Sequence, residues 1–401
     1  MTNLPQGWEV KKLGEIGEIV TGSTPSKSNL DFYGKDYPFF KPSDFEQGYF
    51  LENAGDNLSK LGFDKARQLP PKTILVVCIG SLGKVALTRV IGSCNQQINA
   101  IIPHKNIIAE YIYYYCISSK FQSILFSKAP QTTLAILNKT EFSKLEIIYP
   151  KDIKEQERIV GILDESFAKI DESIKILEQN LLNLDELMQS ALQKAFNPLK
   201  DNAKENYKLP QGWEWKSLGE IGEIITGTTP SKNNPNFYGN EYPLFKPSDL
   251  NGDMIIKYAS DNLSKLGFDN ARNLPKDTIL VVCIGASIGK VGLSGVNGSC
   301  NQQINAIIPN SAFTSKYLFF VCLSNYFQEI LKNNASQTTL PIINKTEFSK
   351  LQIPLPPIKE QEQITSHLDE LSSHVKNLKQ NYQAQIKDLQ ELKNSLLDKA
   401  F

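Results

Sequence analysis

Three histidines, three tryptophans and three methionines are all that this 401-residue sequence contains of each, and 43 basic side chains cancel 43 acidic ones. So few histidines leave little material for a histidine-based site. A formal charge of zero argues against a chain that holds nucleic acid by bulk electrostatics alone. No apolar stretch approaches the roughly 18 residues of a membrane span, and Met1-Thr2-Asn3-Leu4 does not open a charged-then-apolar leader. The expected location is the cytoplasm, with no membrane partner. Also missing are a dinucleotide fingerprint and the Asn-Pro-Pro-Tyr or Asp-Pro-Pro-Tyr tetrapeptide with which an amino-methyltransferase holds its target base. The chain reads as a binder, with no catalytic residue and no metal site.

What the sequence does contain, it contains twice. Leu4-Pro5-Gln6-Gly7-Trp8-Glu9 returns as Leu209-Pro210-Gln211-Gly212-Trp213-Glu214, and Ala195-Phe196 returns as Ala400-Phe401. A repeat this long lies outside the 20 to 50 residue periods of solenoids, so each copy is a domain with its connector. The six cysteines collapse to three positions, Cys78, Cys94 and Cys116 matching Cys283, Cys300 and Cys322, with no Cys-x-x-Cys pair. Cys78 ends a β-branched run, where a thiol behaves as a small hydrophobe. The histidines do not repeat: His104, His367 and His374 face Asn310, Ile162 and Lys169. A duplicated histidine site is excluded.

Each copy changes texture part-way. Residues 1–153 and 209–357 are rich in glycine, proline, asparagine and aromatics, with short runs such as Ile74 to Ile79 and Ile98 to Ile102 that read as strands, and helical patterns at Tyr111–Ile117 and Lys120–Phe126. Residues 154–196 and 358–401 are helical in pattern, and 197–208 form a polar linker. Leu163, Phe167, Ile170, Ile174, Leu177, Leu181, Leu184 and Met188 are spaced alternately by four and three, the period of a coiled-coil seam. The second copy gives Leu371, Val375, Leu378, Tyr382, Gln385, Leu389, Leu392 and Leu396. About 40 residues make a rod of roughly 60 Å. The expected fold is α+β: two similar mixed α/β domains separated by two long antiparallel coiled-coil helices, with an internal pseudo-two-fold that gives a dumbbell.

Gly80-Ser81-Leu82-Gly83-Lys84 follows a strand, but a nucleotide loop needs four residues between its glycines and Ser or Thr after the Lys. The second copy, Gly285-Ala286-Ser287-Ile288-Gly289-Lys290, is one residue longer, which a phosphate cradle does not tolerate. A turn presenting Lys84 and Lys290 is the better reading. The other candidates are repeated polar loop residues: Lys41, Ser43 and Asp44 with Lys246, Ser248 and Asp249; Gln96 and Gln97 with Gln302 and Gln303; Gln131 and Thr132 with Gln337 and Thr338; Lys139 with Lys345. Such side chains suit base edges and phosphates in a DNA groove. The same residue types also fix turns.

The Leu-Pro-x-Gly-Trp opening, the Gly-x-Thr-Pro-Ser loops (Gly22 to Ser26, Gly227 to Ser231), the Lys-Pro-Ser-Asp and Asn-Gln-Gln segments and the Ile-Lys-Glu-Gln-Glu entry into each long helix resemble the specificity subunit of type I restriction-modification systems. Their order, twice over, covers essentially the whole chain. The resemblance implies two target-recognition domains, each reading half of a bipartite double-stranded DNA target. It implies helices that dock two modification subunits, near Glu155, Gln156 and Ile159 and near Glu360, Gln361 and Ile364, and restriction subunits joining them. S-adenosylmethionine, ATP and Mg would then belong to those partners, with no cofactor on this chain. The competing reading is a non-catalytic coiled-coil adaptor whose globular ends bind protein.

The first 100 residues of the two domains agree at more than two-thirds of aligned positions. Domains this alike should read related half-sites. The sharpest departure is Phe45–Asn53 against Leu250–Tyr258, different at every position, beside Asp56–Asp64 and Asp261–Asp269, which are identical.

Overall fold

The computed structural model describes residues 4–129, 135–196, 209–311, 313–336 and 340–401. The chain divides into two compact units, Met1–Leu177 with Gln383–Phe401, and Glu178–Tyr382. Each unit therefore holds one repeated domain, the start of one long helix and the end of the other.

In the first unit a five-stranded sheet runs in the order Gly17–Thr21, Ile98–Pro103, Ile74–Val77, Val85–Thr88, Phe50–Leu51, antiparallel except for the last pair. Ile74–Val77 is buried at every residue because it is the centre of a sheet covered on both faces. Its alternation sorts the core: Ile74 and Val76 pack with the helix Ala109–Ile117, whereas Leu75 and Val77 pack with Phe40, Leu69 and Ala100. A smaller sheet, Asp56–Leu58, Tyr33–Phe40, Ser93–Cys94, carries the loops discussed below. The second unit repeats the five-strand order as Gly222–Thr226, Ile304–Pro309, Ile279–Val282, Val291–Ser294, Ile255–Ile256. Its central strand, Ile279–Val282, is likewise buried throughout.

All six cysteines are free and buried, and burial pushes the Cys78 and Cys94 thiols up to about 12. Cys78 and Cys283 pack in the core on one face of the sheet and Cys94 and Cys300 on the other.

The long helices span Ile153–Phe196 and Ile358–Ala400. Within each unit they run antiparallel. In the first, Lys393 lies over the Phe167 ring at 4.6 Å and binds Asp171 at 2.7 Å, while Ser173, Ile176 and Leu177 share a groove with Gln385, Asp388 and Leu389. In the second, Lys379 pairs with Asp185, and Leu187 to Ala195 line a groove with Leu371 to Gln363. One part of the expected seam needs correction. Leu378 and Leu392 are 41% and 47% exposed and Gln385 faces solvent, whereas Lys379, Ile386 and Lys393 are half-buried. The seam runs one residue later there because lysine stems cover apolar surface while their ammonium groups reach Asp185 and Asp171.

The repeated Ala-Phe explains itself at the helix ends. Phe401 meets the edges of Tyr111 and Tyr115 with ring centroids 5.3 and 5.4 Å away, and Leu397 enters the same core. In the second unit Leu192 and Phe196 enter the core, with Phe196 5.4 Å from Tyr317. Each domain's core is thus closed by the last turn of a long helix.

Candidate nucleic-acid interface

In the first unit, hydrogen bonds gather five separate segments on one rim of the sheets. Gly22 donates its N–H to Ile98 O at 3.0 Å and Ser23 to Cys94 O at 2.9 Å, laying the Gly22–Ser26 loop along Cys94–Gln97. A Cβ on Gly22 would stand 2.1 Å from Asn95 O, so only glycine permits this approach. The Thr24 hydroxyl donates to Gln96 Oε1 at 2.5 Å, and the Tyr33 hydroxyl to Pro25 O at 2.7 Å. Asn95 N–H donates to Phe40 O at 3.0 Å, which brings Lys41–Asp44 alongside. Cys78 N–H donates to Gln97 O at 2.7 Å, and Leu137 N–H to Cys78 O at 2.9 Å, adding the Gly80–Lys84 turn and the segment leading to Lys139.

The second unit repeats the frame. Thr229 donates to Gln302 Oε1 at 2.8 Å, Tyr238 to Pro230 O at 2.7 Å, Asn301 N–H to Phe245 O at 3.0 Å, and Cys283 N–H to Gln303 O at 2.8 Å. Buried asparagines anchor both copies. Thr21 donates to Asn99 Oδ1 at 2.6 Å and Thr226 to Asn305 Oδ1 at 2.7 Å, and both asparagines are 2% exposed.

Within this frame the candidates separate. Asp44 is buried and accepts from the backbone N–H groups of Lys41 and Gly55 at 2.7 and 3.0 Å, and Asp249 accepts from Lys246 and Ser260 N–H at 2.8 and 3.0 Å. Both hold a loop. Lys41 is ion-paired with Asp56, and Lys246 with Asp261, whose carboxyl this hydrogen bond keeps below the usual carboxylate range. Gln97 and Gln303 are half-buried against Asn95 and Asn301, whose Nδ2 groups donate to them at 2.8 and 2.9 Å. Ser43, Gln96 and Lys139 are exposed, as are Ser248, Gln302, Lys290 and Lys345, and Lys84 is half-exposed. Gln131, Thr132, Gln337 and Thr338 lie outside the described residues.

Sequence reasoning missed Arg67 and Arg272. Each is exposed, donates its backbone N–H to Ser23 Oγ or Thr228 Oγ1 at 3.3 and 3.2 Å, and directs a guanidinium N–H to the carbonyl of Thr21 or Thr226. Their recurrence in the repeat was the available signal.

The residues expected to dock partners are not equally accessible. Gln156 and Gln361 are fully buried. Gln156 accepts from Ile108 N–H at 2.9 Å and donates to Pro150 O at 2.9 Å; Gln361 accepts from Thr314 N–H at 3.2 Å and donates to Pro356 O at 3.0 Å. They clasp the helix start to its own domain. Ile159 is buried in that core, Ile364 is half-buried, and Glu155 and Glu360 are half-exposed, with Glu155 bound to Arg158 at 2.7 Å.

Among the described residues no group of three or more His, Cys, Asp or Glu could hold a metal ion, and no helix is long and apolar enough to cross a membrane. The profile of the type I restriction modification DNA specificity domain matches residues 5–182 and again 210–388. The chain belongs to this family. It carries the family's DNA-specificity domain in two copies. The specificity subunit of the type I restriction enzyme HindI from Haemophilus influenzae is 37% identical over 191 residues, 46% of this chain and 42% of that protein. That of MjaIX from Methanocaldococcus jannaschii is 25% identical over 412 residues, 99% of this chain and 93% of that one. The fold matches a chain solved in work on assembly and conformational transition of a type I R-M system, with a TM-score of 0.81, 20% identity and 100% and 99% coverage. The HsdS subunit of Thermoanaerobacter tengcongensis matches with a TM-score of 0.58 and 21% identity over 100% of this chain and 97% of that one.

Proposed function

We propose that each domain of this type I specificity-family member reads one half of a bipartite double-stranded DNA target, and that the two half-sites are closely related. The observation that carries this reading is the polar rim, built twice from the same hydrogen bonds around Thr24, Gln96 and Arg67 and around Thr229, Gln302 and Arg272. Equivalent frames presenting equivalent side chains favour equivalent base contacts. The antiparallel run of the helices within each unit supports half-sites on opposite strands, an interrupted near-palindrome with an adenine methylated in each half.

The chain itself carries no chemistry in this reading. Two modification subunits dock along the helices and bring S-adenosylmethionine, and restriction subunits bring ATP and Mg. The near-neutral charge fits, since partners then supply much of the hold on phosphate.

Methylome sequencing of a strain carrying the system tests the target. The expected result is one interrupted sequence with two related halves; two unrelated halves overturn the near-palindrome. A gel shift with the reconstituted methyltransferase complex tests recognition itself, and binding without sequence preference would favour the adaptor reading.

A further inference from the structure

The turn carrying Lys84 in the first domain and Lys290 in the second is seated identically in both. Gln122 Nε2 donates to Gly83 O at 2.9 Å and to Cys116 O at 2.7 Å; Gln328 Nε2 donates to Gly289 O at 2.8 Å and to Cys322 O at 2.7 Å. Lys84 O accepts from Val77 N–H and Lys290 O from Val282 N–H, both at 2.9 Å. Gly80, Gly83, Gly285 and Gly289 all take positive φ, between 81° and 96°. The extra residue in the second turn is absorbed ahead of Gly289, so the two lysines leave equivalent positions on the rim.

Their electrostatic surroundings differ. Lys84 Nζ lies 3.4 Å from the Glu46 carboxylate. Asn251 occupies the equivalent position in the second domain, and among the described residues Lys290 Nζ donates to the neutral Pro247 carbonyl, at 3.3 Å, and forms no ion pair. The neighbouring block reinforces the contrast. Ser43–Asn53 carries Asp44, Glu46 and Glu52 with no base, whereas Ser248–Tyr258 carries Asp249, Asp253 and Lys257. Asp253 is ion-paired to Lys376 at 2.6 Å.

We propose that Lys290 is an active contact to phosphate or guanine while Glu46 restrains its counterpart Lys84, so that the second domain grips its half-site more tightly and Glu46 and Asn251 set the imbalance. The proposal rests on the reading of both domains as DNA readers. Before Lys84 can meet an anion it must leave Glu46, and the carboxylate then faces the approaching phosphate with like charge. Among the described residues neither obstacle stands at Lys290.

The test uses the full chain with its reconstituted methyltransferase partners and three duplexes: the selected target, and versions with either half scrambled. Exchanging the charges by Glu46→Asn and Asn251→Glu touches exposed side chains, so the melting temperature should not move. Asn251→Glu is expected to weaken binding to the duplex keeping only the second half-site about tenfold and to lower its salt slope by about one. Glu46→Asn is expected to strengthen binding to the first half-site several-fold. Lys290→Ala should weaken binding much more than Lys84→Ala. If recognition is intact but the exchange variants bind like the parent, or Lys84→Ala costs as much as Lys290→Ala, the imbalance is overturned alone. If the parent complex shows no sequence preference, the recognition reading falls and the imbalance with it.

Discussion

The two domains share a scaffold and differ in how they fasten one loop. In the first, Arg89 lies over the Phe50 ring at 3.7 Å and pairs with Glu52 at 3.0 Å, while Tyr49 stacks on Phe50 and Tyr113 with centroids 4.0 Å apart. In the second, Ile255, Lys257 and Met254 stand at those positions and Gly295 replaces Arg89, while Asp253 holds the loop to the long helix through Lys376. A Cβ on Gly295 would come within 2.7 Å of both Ile255 and Lys257, so the arginine clasp has no room there. The sheet beneath is the same in both. A loop can therefore be rewritten completely without disturbing the strands that carry it, which is what a recognition domain requires if its target is to change while its fold does not.

The strongest challenge to this equivalence is at the helix ends. Phe196 is 2% exposed in its core, whereas Phe401 is half-buried. Phe196→Ala should cost about 3–5 kcal/mol and Phe401→Ala clearly less, measured by unit-resolved unfolding in denaturant. Equal losses would mean that the two cores depend equally on their closing turn. The buried glutamines sharpen the comparison in the opposite sense. Gln156→Leu and Gln361→Leu each strand buried backbone groups, so each should cost about 1–3 kcal/mol, with faster amide exchange at Ile108 in one unit and Thr314 in the other. A large inequality would show that only one domain needs the clasp.

The smallest expected difference is in acid. The Tyr149 hydroxyl, with Lys151 and Lys11, holds the Glu9 carboxyl down at about 2, from an ordinary 4.5. A carboxyl depressed by folding stabilises above its unfolded value, and that contribution fades as pH falls from about 4.5 through about 2. Glu9 faces Tyr149 across a strand pair, whereas Glu214 faces Leu355. Amide exchange between Trp8–Lys12 and Glu146–Pro150 should therefore quicken in that pH window more than between Glu214–Ser217 and Gln352–Leu355. Glu9→Gln should erase the difference.

Much of the fold could be read from the sequence because its signals are local. The β-branched run at Ile74 to Val77, the proline-free heptads and the 205-residue repeat need no knowledge of what they touch. The seam slipped where a leucine adjoins a lysine, at Leu378-Lys379 and Leu392-Lys393, because apolarity alone does not reveal a lysine ammonium set over the Phe167 ring. The rim was harder to read. Asp44 and Gln156 look like surface polar residues until Gly55 and Ile108, remote in sequence or across a loop, are seen to use them. Asn138 and Asn344 likewise cap short helices, accepting from Glu141 and Glu347 N–H at 2.9 Å. Composition places such residues in loops; only tertiary structure distinguishes those that build a loop from those that the loop presents.

The closing turns at Phe196 and Phe401 bear on synthesis as well as stability. The second domain follows its closing turn in the chain, so Leu192 and Phe196 are already made when their core assembles. The first domain's core draws on Leu397, more than 200 residues beyond Tyr149. On the ribosome that domain must wait, with an uncovered patch around Tyr111 and Tyr115, until the final helix turn emerges. The late closure makes the first domain's core the later of the two to be completed during synthesis.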